Sequence, residues 1–494
     1  MLNILKKYRL EVVSFTVGLV ILAFELAAAR VVAPYIGTTI YTWTSIIGVI
    51  LAALAVGYWY GGYVADTRKK QQDVVLLILA AAGLIFVINL VKDWVLSQIS
   101  HTELPLRAQA FFGSLFLFAP PTIALGAVSP YLARLSLTGL GTSGHHIARI
   151  GAAGTAGSLV GTFLTGYLLF GFIGSRNILN ILVILLVINS FILSTRKLLI
   201  PRILLLLAAF FGLFSPVGLR LAGVISDVDS RYQRIVIRNI EYIGRPARIL
   251  QTDSLGWQSG IYLDKKDELV FPYIRAFGYA AATKKAATDY LIIGGGAFTL
   301  PAYLATTNTR SQVDVVEIDD AMPQISQKYF NYKPLDNLKI IAADGRQFLN
   351  QNSKKYDFVF IDAFTALTPP FQLLTIEAAQ KQSFALKPSG VVAANIISAQ
   401  SGSKSEMIKS VYNTYRQVFK HISVLQVIGG TDPHQRQNLL LLASDYPLDL
   451  KILQAGTQIP EAKRLFGSPI IIEDSSLILT DDFAPVERLA ANGT

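Results

Sequence analysis

The stretch Asp289–Phe298, "DYLIIGGGAF", sets three glycines, Gly294, Gly295 and Gly296, directly behind an apolar run that reads as a buried strand. Glycine lacks a Cβ, so a turn built from it lets a ligand approach the backbone closely. Downstream the pattern repeats: "QVDVVEIDD", "LKIIAADG", "YDFVFIDAF" and "GVVAANII" are strand-like, with helical stretches between them. Alternating strands and helices predict a mainly parallel, doubly wound sheet of the Rossmann-like, methyltransferase type.

In such a sheet, ligands bind beyond the carboxyl ends of the strands. There the candidate residues fall in sheet order: the glycines after the first strand, Glu317 after the second, Asp344 and Gly345 after the third, and Asp362 after the fourth. Glu317 follows the glycine turn at about the spacing of an acid that accepts the hydrogen bonds of ribose hydroxyls. A glycine turn is also an ordinary tight turn, and an acid at a strand end is also a helix N-cap. Ala297, Phe298 and Thr299 leave the GxGxxG pattern incomplete, which argues against a dinucleotide and for a smaller nucleoside such as S-adenosylmethionine or a relative.

Upstream the chain changes character. Of 494 residues, 52% are hydrophobic and the mean hydropathy is +0.45, too apolar for an ordinary soluble enzyme. The net charge of +11 is concentrated in Met1–Arg220, with 16 Lys+Arg against 6 Asp+Glu. Cationic loops orient membrane spans, so the basic balance predicts a lipid bilayer as partner and no nucleic acid. The absence of cysteine excludes disulfides and thiolate metal sites, and five scattered histidines without HExxH or Gly-x-Ser-x-Gly leave metal and Ser-His-Asp hydrolysis without their parts. No metal and no prosthetic group is expected.

Seven apolar runs, about Glu11–Ala29, Ile40–Gly62, Val74–Leu96, Ala108–Leu132, Ile147–Ile173, Ile178–Ser194 and Ile203–Leu219, approach the length of a membrane span. The first reads as an anchor, since no small-residue cleavage site follows it. Cation counting places the N-terminus in the cytoplasm, with the plasma membrane as the expected location. Seven spans would leave the polar half outside, and six or eight inside; the last run is marginal in length. "GAAGTAGSLVGTFLTG", Gly151–Gly166, reads as a helix-packing surface and not as a phosphate loop, because no Lys-Ser/Thr follows and the context is apolar. "GYVADTRKK", Gly62–Lys70, resembles the second-to-third helix loop of major facilitator transporters. Glu25 and Arg30 are ionisable groups at or near the first span, open to substrate contact or to structural pairing. The predicted organisation is a transmembrane domain over 1–220, a small antiparallel β-sheet subdomain over 221–285, and a Rossmann-like domain over 286–494.

Six motifs extend the reading: "SRYQRIVI", "LIIGGGA", "VEIDDAM", "AADGRQFL", "FIDAFTALTPPFQLLTIE" and "LTDDFAPVERL". With them the polar half resembles the spermidine/spermine synthase family of aminopropyltransferases. Together with "FELAAAR" and "LGAVSPYLARL", the chain is similar to the membrane-fused branch of that family. The resemblance implies that Gln233, Gly294, Gly295, Gly296, Glu317, Asp344 and Gly345 hold decarboxylated S-adenosylmethionine or S-adenosylmethionine as co-substrate. It also implies that Asp362 takes a proton from the attacking amine or polyamine, that Tyr232, Tyr273 and Thr365 line the acceptor side, and that a homodimer forms.

This chain departs from the family pattern at three amine-handling positions. Ala297 stands where soluble members carry an Asp after the glycines. Phe271, Pro272 and Tyr273 replace a Tyr-His-Glu segment, and Thr365 replaces a second acid, with Tyr273 and Arg275 as alternative acceptor chemistry. Three functions follow: an aminopropyltransferase of altered amine specificity, an S-adenosylmethionine-dependent alkyl or methyltransferase, or a polyamine-binding or transport protein with a degenerate synthase domain.

Overall fold

The computed structural model describes residues 8–137, 143–193, 198–214, 223–252, 256–284, 286–363, 370–428, 430–448, 469–473 and 477–491. Its backbone contacts divide the chain into two compact units. One is Met1–Leu221 with Val228–Gln233, and the other is Ala222–Asp227 with Arg234–Thr494.

The first unit is helical. Six helices are long and apolar enough to cross a membrane: α1 (Arg9–Ile36), α2 (Ile40–Arg68), α3 (Gln71–Ser100), α4 (Leu106–Ser136), α5 (Ser143–Phe172) and α6 (Ser175–Ile192). The seventh apolar run forms α7 (Leu199–Phe214), a helix of 16 residues. At 1.5 Å per residue it extends about 24 Å, short of the ~30 Å hydrocarbon core. Six long helices and this shorter one, beyond which 215–222 lie outside the described residues, stand where about seven spans were expected.

The small-residue run in α5 does what its composition predicts. A Cβ on Gly157 would lie 1.8 Å from the Phe15 carbonyl oxygen, and one on Gly161 would lie 2.3 Å from that of Leu19. Helices α1 and α5 thus meet backbone to backbone, helped by the Ser14 hydroxyl donating to the Ile150 carbonyl at 2.8 Å. Further along, α5 relaxes into a π-helical turn at Leu164–Leu169. Arg30 has a structural partner: its guanidinium donates to the Ser230 carbonyl at 2.6 Å and also to that of Arg231, and it covers the Phe170 ring at 4.3 Å. Glu25 is half-buried and makes no hydrogen bond or ion pair among the described residues.

The second unit holds two sheets. The smaller is an antiparallel meander of β1 (Val224–Asp229), β2 (Arg234–Tyr242), β3 (Arg245–Gln251) and β4 (Ser259–Tyr262), in that order. Helix α8 (Pro272–Ala282) follows, with Pro272 in its first turn, where the missing amide N–H costs no helix hydrogen bond.

The larger sheet is built from β5 (Asp289–Ile293), β6 (Gln312–Glu317), β7 (Leu338–Ala342), β8 (Tyr356–Ile361), β9 (Leu386–Ser398), β10 (His421–Gln426) and β11 (Gln437–Ser444). Their order is β10-β11-β9-β8-β5-β6-β7, parallel from β9 through β7 and antiparallel at β11 and β10. Continuous apolar runs such as Phe358–Ile361, within a strand buried at every position from Tyr356 to Ile361, suit strands covered on both faces. One face packs against α8 and α9 (Thr299–Thr307) through Phe277, Leu300 and Leu304. The other packs against α13 (Glu406–Arg416) through Ile408, Val411 and Tyr415. The chain runs outward from β5 to β6 and β7, then returns to place β8 on the other side of β5. That reversal opens a crevice at the carboxyl ends of β5 and β8.

Candidate active site

Strand order sets the sequence of groups along the crevice: Asp362 after β8, the glycine turn after β5, Glu317 closing β6 and Asp344 beyond β7. The ladder continues past the strands to fix them. The Gly294 amide donates to the Val316 carbonyl and the Asp362 amide to the Ile293 carbonyl, both at 2.9 Å. Gly294 has φ +99°, and a Cβ there would lie 2.4 Å from the Asp362 carbonyl oxygen. Only glycine permits both the left-handed backbone and this approach. Phe298, buried and also in the left-handed region at φ 58°, closes the turn by donating its amide to the Gly295 carbonyl at 2.8 Å. A bulky residue at positive φ is costly and is held by its surroundings, here by stacking on Tyr332 at 5.2 Å.

Glu317 is buried, with Oε2 accepting from the Gly295 amide at 2.7 Å and Oε1 from the Asp319 amide at 2.9 Å. Burial pushes its carboxyl above the usual range, and these amides pull back. Asp344 is half-buried and caps α11 (Gly345–Gln351), its Oδ1 accepting from the Gln347 amide at 2.9 Å. The helix-cap alternative is realised at this acid, and its second oxygen carries no bond within the cap.

Asp362 differs from both. Burial pushes its carboxyl up to about 8, although part of the residue reaches solvent, and the Asn395 amide opposes the rise. The Tyr273 phenol, on α8, donates to the Gln258 carbonyl. Its own ionisation is pushed well up, first by burial and then by the neighbouring Asp362. A cavity of about 300 Å³ opens beside Tyr273, lined also by Tyr242, Trp257, Phe271, Gln437 and Asn438.

The structure brings together Gly294, Gly295, Gly296, Glu317, Asp344, Gly345, Asp362 and Tyr273 in the second unit. Tyr232 and Gln233 belong to the first unit, where the Gln233 amide donates to the Ser230 hydroxyl at 3.0 Å. Thr365 lies outside the described residues. Arg275, expected on the acceptor side, is engaged elsewhere: Nε donates to the Leu269 carbonyl at 2.6 Å and Nη2 reaches Glu268 at 3.4 Å. Ala297, read as a vacated ammonium site, is 1% exposed and belongs to the apolar core. Asn395 and Asn438 were not singled out by sequence reasoning; the signal was a lone amide inside the apolar strand "GVVAANII".

The spermine/spermidine synthase domain family matches residues 276–436. The chain is 27% identical over 313 residues to a polyamine aminopropyltransferase of Vibrio vulnificus (strain CMCP6), covering 59% of this chain and 99% of that one. To putrescine N-methyltransferase 2 of Nicotiana tabacum it is 32% identical over 136 residues, 26% of this chain and 38% of that one. Among solved structures, a probable spermidine synthase from Corynebacterium glutamicum ATCC 13032 aligns with a TM-score of 0.41 at 21% identity, over 49% of this chain and 89% of that one.

Proposed function

From the premise that this chain carries a spermine/spermidine synthase domain and falls in the spermidine synthase-like class of transferases, we propose that it transfers an aminopropyl group from decarboxylated S-adenosylmethionine to an amine, with Asp362 as proton acceptor. The amine nitrogen attacks the methylene carbon beside the sulfonium. The carbon–sulfur bond breaks with its electron pair on sulfur, leaving a neutral thioether nucleoside, and the proton displaced from nitrogen goes to Asp362. Glu317 receives the ribose hydroxyls, Asp344 the adenine side, and the glycine turn lies against the nucleoside. Tyr232, Gln233 and Thr365 are assigned to the same site on the resemblance alone.

The observation that carries this reading is the desolvated carboxyl of Asp362, whose pKa is lifted to about 8 beside the glycine turn. A base is most effective when its pKa lies near the working pH. The sulfonium and ammonium it faces would each favour its ionised form on arrival. In this reading the first unit attaches the enzyme to a lipid bilayer. Six crossings would keep both chain ends on one side, which for a cytosolic donor is the cytoplasm. The organisation over 1–220, 221–285 and 286–494 and the homodimer belong to the same proposal.

A second reading, methyl transfer from S-adenosylmethionine itself, is favoured by the similarity to the Nicotiana protein and by an apolar residue, Ala297, after the glycines. Calorimetric titration of the full chain with the two nucleosides, followed by product analysis with putrescine, separates the two. Tighter binding of the decarboxylated donor with aminopropyl transfer is the expected result. Transfer of methyl, or binding of neither nucleoside, overturns it.

A further inference from the structure

Asn395 sits where an amide is expensive. It is 5% exposed, within the apolar strand β9, opposite Leu440 on β11. A buried amide left unpaired costs about as much as a large cavity, and a fully paired one only breaks even with an apolar side chain. Its presence therefore needs a reason beyond folding.

The register supplies one. Ala394 lies opposite Ile361 in the parallel β8–β9 pair, so the next step along both strands sets Asn395 beside Asp362. The Asn395 Nδ2 lies 3.5 Å from Asp362 Oδ1, and its Oδ1 accepts from Asn438 Nδ2 at 2.9 Å. With the oxygen occupied by Asn438, the NH2 of Asn395 is the face left for the carboxylate. Asn438 in turn lines the cavity beside Tyr273.

We propose that Asn395 and Asn438 form an amide pair that positions and tunes Asp362, coupling the wall of the acceptor cavity to the proton-accepting group; this rests on the role given to Asp362 above. The pair suits both protonation states. With Asp362 ionised, the Asn395 NH2 faces the carboxylate. Once Asp362 holds a proton, its O–H can donate to the Asn395 oxygen if both amides reverse, with Asn395 then donating to Asn438. No buried donor is stranded in either arrangement. Besides Asn395 from β9, Asp362 faces the neutral Tyr273 phenol from α8 and the Gly294 backbone from the turn after β5. The opposing effect of the Asn395 amide on the Asp362 proton agrees with this geometry.

The test is an infrared pH titration of the full-length protein in micelles, reading the protonated-carboxyl band that Asp362→Asn removes. Asn395→Ala should raise the midpoint by about 1 unit. The isosteric Asn395→Asp should raise it further, because two adjacent carboxyls hold one proton between them. Asn438→Ala should raise it by less than Asn395→Ala. A purely structural role would lower the melting temperature of the variants and leave the midpoint fixed; unchanged midpoints overturn the pair. Transfer measured on the same samples separates the two ideas. Shifted midpoints in a wild type without transfer would retain the pair and sink the enzymatic reading, whereas fixed midpoints in an active wild type would sink the pair alone.

Discussion

Strand β8 carries an aspartate near each end, and the two live in opposite electrostatic worlds. Asp357, at its start, is buried, yet the Thr288 and Asp289 amides together with Lys284 and Lys387 overcome burial and hold its carboxyl down to about 2. Asp362, just past its end, is desolvated more heavily, has the Asn395 amide as its one opposing donor among the described residues and is pushed up to about 8. Burial and the donors aimed at each carboxylate set the two values together. The amino end of the strand is satisfied for folding, and the carboxyl end is left under-satisfied. An under-satisfied carboxylate beside the glycine turn is what the proposed proton transfer requires.

The sharpest way to break this contrast is to remove the charge at each end. Asp362→Asn should lower transfer by about 10³-fold while nucleoside affinity persists, measured by product formation and titration calorimetry. It should also remove a pH dependence. A folded pKa near 8 against an ordinary value near 4 means that the native state keeps a proton the unfolded state has lost. Wild-type stability therefore declines as pH rises from about 4 to 8, and the variant lacks that decline in denaturant midpoints.

Asp357→Asn should leave the nucleoside site intact and cost about 2 kcal/mol at neutral pH, discounted because Lys284 and Lys387 reach solvent. The sign reverses here. A carboxyl held near 2 contributes stability that is complete above pH 4 and is lost as pH falls toward 2, so the variant should show a flatter acid limb in chemical denaturation.

Ala297→Asp adds a fourth acid to the edge that carries Glu317, Asp344 and Asp362, at a site 1% exposed. Without donors it should behave as Asp362 does, protonated at neutral pH, lowering stability by about 1–3 kcal/mol with no gain in affinity for the decarboxylated donor. Tighter donor binding in calorimetry would instead show that this position alone had relaxed the specificity. Tyr273→Phe, the smallest change, removes the bond to the Gln258 carbonyl and should cost about 1 kcal/mol in thermal unfolding. Its transfer kinetics should shift in KM for the amine more than in kcat.

The sheet was legible because its strands are dominated by apolar residues and its turns are marked by glycine and acid, signals that local physics writes directly into sequence. Glu317 and Asp362 could be named from strand ends alone. What each acid does could not, because Asp344 and Asp362 have the same side chain and differ in the desolvation and the amides that folding sets around them. Asn395 and Asn438 meet across β9 and β11, a long-range pairing that no local pattern encodes. Arg275 looked free in the sequence until folding set Glu268 and the Leu269 carbonyl within its reach. The seventh apolar run has the composition of a span, and 16 residues of it are described as helix.

Gly294 presses its Cα against the Asp362 carbonyl so closely that no side chain fits between them. The glycine turn and the end of β8 therefore cannot be moved apart by single substitutions at this contact, and they must be inherited or lost together. Under the proposed function, a descendant with a new acceptor could rework the walls, at Trp257, Phe271 or Gln437, while the distance from the turn to Asp362 stayed fixed. Variation and constraint would then lie about one side chain apart.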